Sequence, residues 1–225
     1  MRAPARHAVP LRVDMLCHDS RHRHSIRLQG YDYSQAGAYF ITVCAQDRKC
    51  LFGDIADGEM ALNGYGCAVQ NEWIKTAEIR SGIQLGEFVV MPNHFHGILI
   101  IDDDLRRGTA CRALVDDEVR REGMARPEGT KGICAGSRTA RRAPTERFGQ
   151  SMPGSLPTIV RAFKSAVTKH INGIRQSPGV SIWQRNYYEH VIRNEADYRQ
   201  IAEYIIDNPR RWEEDVLHPD RTSGR

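Results

Sequence analysis

The sequence predicts an α+β domain in which a central, mainly antiparallel sheet carries packed helices and a long insertion separates a strand from a helix. Three observations predict it. Short runs of β-branched and aromatic residues alternate with helical periodicities, and short turns join several of the strands. Residues 103–152 carry few large apolar side chains, too few to offset the entropy of ordering them in a core.

Residues 38–45 (AYFITVCA) read as a strand preceded by a turn at 35–37. A turn-rich stretch at 53–58 and 63–64 leads to a helix over 65–79, where Val69, Trp73, Ile74 and Ala77 recur at helical spacing. The short apolar runs 88–91 and 97–102 flank Pro92 to His96 and predict a strand or a hairpin pair. A second helix starts at Ser155 or just after Pro157, with Ile159, Val160, Phe163, Ala166, Val167 and Ile171 on one face. Residues 181–194 read as strand and loop. A third helix spans 196–207, with Asn194 as N-cap, Glu195 and Asp197 in its first turn and Pro209 stopping it. The implied organisation is a basic arm at 1–26, a domain built from 27–102 and 153–212, the insertion at 103–152 with a short helix near 116–122, and a tail at 213–225.

Charge is informative by position. The formal net charge is +4, and residues 1–30 alone hold six Arg against Asp14 and Asp19, together with four His. A basic arm on a near-neutral body suits a polyanion partner or a solvated tail. No apolar run reaches the ~20 residues needed to cross a bilayer, so no membrane association is expected. The Arg- and His-rich beginning lacks the apolar stretch of a secretory signal. Six cysteines without a C-x-x-C pair read as reduced thiols of a cytoplasmic protein, not as a disulfide frame or a cysteine zinc site.

The segment Met91-Pro92-Asn93-His94-Phe95-His96-Gly97 concentrates the chemistry. In an extended chain His94 and His96 share a face while Phe95 points the other way, which makes half of a metal site. Taken alone, so short a triplet reads more readily as two surface histidines on a half-exposed strand. Tyr204 and Asn208 are four residues apart on the third helix and share a face, so the Asn208 amide oxygen can complete a His94/His96/Asn208 set beside the Tyr204 phenol. The plainer reading is a core tyrosine and a helix-terminal asparagine. His190 reads as a hydrogen-bonded structural histidine. Arg21, Arg23 and Arg27 before the first strand, and Arg161, Lys164 and Lys169 on the second helix, are candidate phosphate contacts; taken singly, each reads more readily as ordinary surface charge.

Six blocks in order carry a resemblance: Gly30-Tyr31-Asp32-Tyr33, Ala38-Tyr39-Phe40-Ile41-Thr42-Val43, Leu51-Phe52-Gly53, the His94/His96 segment, Trp183-Gln184-Arg185-Asn186-Tyr187-Tyr188-Glu189-His190, and Tyr204-Ile205-Ile206-Asp207-Asn208-Pro209. Over about 27–102 and 155–212 the chain resembles the single-tyrosine transposases of the His-hydrophobic-His superfamily, and more narrowly the REP-associated tyrosine transposases. The resemblance implies an enzyme of ferredoxin-like α+β fold that cuts and rejoins single-stranded DNA at hairpins. His94, His96 and Asn208 would hold a divalent ion, Mg²⁺ or Mn²⁺, and Tyr204 would be the nucleophile. Asn208 stands where some members carry Gln or His. The resemblance also implies a monomer, associated with the nucleoid when bound to DNA. Two other readings remain: a domesticated hairpin-binding protein without cleavage, and a metal-dependent hydrolase that uses an activated water.

Overall fold

The computed structural model describes residues 31–103 and 152–223. The expected arm, most of the insertion with its short helix, and Arg21, Arg23 and Arg27 lie outside these residues. In chain order the domain comprises β1 (Gly37–Cys44), β2 (Gly53–Ala56), β3 (Glu59–Leu62), α1 (Gly64–Glu78), β4 (Ile83–Val90), β5 (His94–Ile101), α2 (Leu156–Ile174), β6 (Tyr188–Ile192) and α3 (Glu195–Asp207). The expected α+β architecture is present. Strands β4, β5, β1 and β6 lie in that order in one sheet, and every neighbouring pair is antiparallel. Among the described residues no helix is long and apolar enough to cross a membrane.

The period-2 alternation of β1 and β5 divides the core into two layers. Tyr39, Ile41 and Val43 of β1 and Phe95, Leu99 and Ile101 of β5 face α1 and α2, meeting Val69, Trp73, Ile159, Val160, Phe163 and Val167. Phe40 and Ile98 point to the other side, where Ile201, Ala202 and Ile205 of α3 cover them. Apolar residues at 201, 202 and 205 form the narrow stripe that docks α3. Asn194 caps α3 by accepting from the Asp197 amide, and Asn63 caps α1 by accepting from the amides of Tyr65 and Gly66.

Three local expectations change. The turn-rich stretch after residue 52 is a hairpin, β2–β3, closed by Asp57 and Gly58 at φ 52° and 77°. Two successive positive φ angles make the tight turn that an Asp-Gly pair favours. On α1 the buried stripe runs through Ala68, Val69, Trp73 and Thr76, whereas Ile74 is exposed. The expected tail at 213–225 includes Asp215 and Leu217, both buried, so packed chain continues past Trp212.

Gly97 belongs to the apolar face of β5, and a Cβ there would stand 2.8 Å from Phe95 Cζ and 3.0 Å from Trp73 Cζ2. Neither aromatic ring can yield in so dense a layer. Gly97→Ala is expected to lower stability by about 1–3 kcal/mol in a urea titration, the usual cost of an overpacked core. A change below about 0.5 kcal/mol would show that the Trp73 ring relocates freely.

Candidate active site

His94 and His96 open β5 on the face covered by α3, and both side chains are fully buried. Their ring centroids are 4.5 Å apart. Antiparallel pairing sets Thr42 opposite His96 and Cys44 opposite His94. Thr42 Oγ1 meets His96 Nδ1 at 2.8 Å, and the Phe40 ring stacks on the same imidazole with centroids 5.4 Å apart. Asn93 Oδ1 meets His94 Nδ1 at 2.8 Å. Both histidines are therefore held through Nδ1, which turns Nε2 toward the space under α3.

The last turn of α3 supplies the next groups. Its apolar stripe seats the helix so that the Tyr204 hydroxyl lies 3.3 Å from His96 Nε2. Asn208, immediately after the helix, is buried, and its amide acts on both His94 and Tyr204. Beyond Pro209 the chain turns back, and Asp215 Oδ2 comes to 3.8 Å from His94 Nε2. The other carboxylate oxygen, Oδ1, accepts from the Leu217 amide.

Electrostatics follow from burial. Desolvation pushes the His94 imidazole down to about 3, with the nearby Asn208 amide acting the other way, and with the neighbouring His94 it holds His96 well below the ordinary imidazole value. Both rings are neutral at pH 7, the form in which imidazole ligates metals. Burial, followed by the Asp215 carboxylate, raises the Tyr204 phenol above its ordinary value, while Asn208 and Arg211 act the other way. A phenol so raised needs a cation beside it to react near neutral pH.

The donor set fits a divalent cation. Nε2 of His94, Oδ1 of Asn208 and Oδ2 of Asp215 are all buried without a hydrogen-bond partner, a costly arrangement that a bound cation relieves. Ligand atoms of His94, His96 and Asp215 lie within 4.8 Å of one another. Two imidazoles with carboxylate and amide oxygens suit Mn²⁺ better than Mg²⁺, which prefers oxygen ligands alone.

The structure thus brings together His94, His96, Tyr204 and Asn208 from the sequence reading and adds Asp215. Asp215 is the third of three adjacent acids, and nothing in its local sequence sets it apart; the structure places it between Trp212 and Leu217, both buried. The α2 residues lie elsewhere. Arg161 is exposed on the helix that covers the opposite face of the sheet. Lys164 is not a free phosphate contact: its ammonium donates to the carbonyls of Gln184, Arg185 and Asn186 at 2.7, 3.2 and 3.3 Å. Burial pushes this lysine down to about 8, with the nearby Cys44 acting the other way. His190 is 3.2 Å from Asp197, the structural role expected of it.

At the start of β5 the chain therefore carries a His-hydrophobic-His pair, His94-Phe95-His96, with the Tyr204 hydroxyl at the second imidazole. The chain belongs to the same family as an uncharacterized protein of Haemophilus influenzae, to which it is 37% identical over 199 residues, 88% of this chain and 94% of that protein. No family model matches it. Among solved structures it is similar to a REP-associated tyrosine transposase bound to a REP hairpin, at 21% identity and a TM-score of 0.45, covering 81% of this chain and 72% of that one. It is also similar to a candidate transposase from Deinococcus radiodurans, at 16% identity and a TM-score of 0.34, covering 80% and 95% respectively.

The buried neutral imidazoles set a pH dependence of stability. The unfolded chain binds a proton at His94 below about 6.5 while the folded chain resists it until about 3, so stability is present above 6.5 and declines as pH falls. With EDTA present, His94 alone is expected to lower stability by about 2 kcal/mol between pH 7.5 and pH 5. Urea titrations at the two pH values, compared with His94→Gln, check it; an equal decline in the variant would remove His94 as the source.

Proposed function

We propose that this protein is a divalent-metal-dependent tyrosine nuclease of the transposase type, which cleaves and rejoins single-stranded DNA at hairpin-associated sites through a 5′-phosphotyrosine link. The observation that carries the reading is the Tyr204 hydroxyl at 3.3 Å from His96 Nε2, over a pocket of buried, unpartnered ligand atoms. The six sequence blocks that resemble the REP-associated tyrosine transposases support the DNA substrate, since four of the site residues fall within two of those blocks.

In this reading His94, His96, Asn208 and Asp215 hold the ion. When bound, it offsets charge on the scissile phosphate and favours the ionised phenol. Tyr204 Oη attacks phosphorus as the bond to the 3′ oxygen breaks, and the phenolic proton ends on the released 3′-hydroxyl. The phosphodiester is conserved as a tyrosyl ester, so a 3′-hydroxyl can reverse the step without ATP. Asn208 and Arg211, the groups that lower the raised phenol pKa, help Tyr204 to ionise. The α3 stripe and the Phe40 ring keep the tyrosine in reach of the phosphate.

Tyr204→Phe is expected to abolish covalent attachment to a fluorescent single-stranded hairpin in Mn²⁺, read on a denaturing gel, while hairpin binding stays within about twofold. Cleavage at the wild-type rate by this variant would favour hydrolysis by an activated water, and absence of cleavage by the wild-type chain would leave a hairpin-binding protein. Asp215→Ala is expected to weaken Mn²⁺ binding by about tenfold or more in calorimetric titration, since a charged oxygen ligand is removed.

A further inference from the structure

Asn93 is almost fully buried in the turn between β4 and β5, and all three of its amide contacts fall on other parts of the site. Its Nδ2 donates to Leu217 O at 2.8 Å and to Arg48 O at 3.2 Å. A carbonyl cannot donate, so these two contacts settle which end of the amide is nitrogen. Oδ1 must then be the atom that meets His94 Nδ1 at 2.8 Å, and an amide oxygen only accepts. The His94 proton is therefore on Nδ1, and Nε2 carries a bare lone pair. That lone pair faces Asp215 Oδ2 at 3.8 Å, two acceptors turned toward each other.

The same amide also seats the carboxylate. Leu217 donates its N–H to Asp215 Oδ1 and gives its carbonyl to Asn93 Nδ2, so a circuit runs from Asn93 through His94, Asp215 and Leu217 and back to Asn93. The third contact, at Arg48 O, ties the circuit to a turn in which Asp47 and Arg48 take φ of 56° and 53°, left-handed values that non-glycine residues seldom adopt. Backbone of that kind persists where its surroundings hold it.

We infer that Asn93 is a positioning residue that fixes His94 in the Nδ1–H tautomer and, through Leu217, holds Asp215 at the liganding nitrogen. The inference rests on the proposed metal-binding reading for its purpose, but the tautomer is a property of the metal-free protein. Outer partners of this kind set ring orientation and are worth about 10–100-fold in metal affinity.

The test uses the full chain, ¹⁵N-labelled and treated with EDTA, with long-range ¹H–¹⁵N spectra assigning the proton on the His94 ring. Wild type is expected to show Nδ1–H. Asn93→Leu is expected to shift the proton to Nε2 or divide it between the two nitrogens, and to weaken Mn²⁺ binding by about 10–100-fold. Asn93→Asp, which keeps an acceptor but loses both donors, is expected to retain Nδ1–H and to bind Mn²⁺ with intermediate affinity. A merely structural role predicts no such split between variants. Retention of Nδ1–H by Asn93→Leu with Mn²⁺ affinity within about twofold of wild type would overturn the inference. If Asn93→Leu does not fold, Asn93→Asp decides: Nδ1–H supports the inference and Nε2–H overturns it. Failure of the wild-type protein to bind Mn²⁺ would strike the metal-binding reading instead, with the tautomer result still deciding the part played by Asn93.

Discussion

The antiparallel pairing of β1 with β5 is the constraint on which the rest depends. It places two imidazoles on a fully covered sheet face, where Phe40 and Ile98 continue the same surface as apolar core. Water is excluded there, so every polar atom must find its partner within the chain. Thr42 and Asn93 meet that demand at the Nδ1 atoms, and the Nε2 atoms are left for whatever α3 and the following chain bring. Burial thus does two things together: it keeps both rings neutral and it concentrates unmet donor capacity in one small volume.

What converges on that volume comes from two stretches distant in sequence, the second made of α3 and the chain that follows it. The turn and strand at 93–96 are locked by sheet pairing, α3 is docked by its narrow apolar stripe, and the chain after Pro209 is held by Trp212 and Leu217. A hydrogen bond from Tyr198 to Glu87 fastens α3 to β4 as well, at 2.8 Å. Gly86 precedes that glutamate, and a Cβ there would come within 2.7 Å of the Tyr198 hydroxyl, so the helix and strand approach at the one residue without a side chain. The tyrosine that lies over the histidines is therefore set by sheet geometry several residues away from it.

Much of this was legible in the sequence because the deciding signals are local. The β-branched run of β1, the asparagine before α3 and the proline after it each act over one or two turns of chain, and the structure follows them. The His94/His96 pair was readable because alternation alone puts both on one face. The β2–β3 hairpin was harder: its strands GDIA and EMAL are four residues long and poor in β-branched residues, leaving only the Asp57-Gly58 turn as a sign. Asp215 was beyond local reasoning, since its place depends on the chain folding back after Pro209. Lys164 shows the same limit from the other side. A lysine beside an amphipathic stripe reads as solvent-facing until a loop from twenty residues onward closes over it.

The two points where the described chain breaks off and resumes have their own consequence. The chain leaves β5 after Ile101 and returns at α2, whose first amide, Leu156 N–H, donates to Tyr33 O. His94 stands at the opposite end of that strand, seven residues away, roughly 23 Å along a pleated chain. Residues 104–151 are thus joined to the sheet at the end of β5 remote from the imidazoles, and the spacing of the two histidines is set at the other pole.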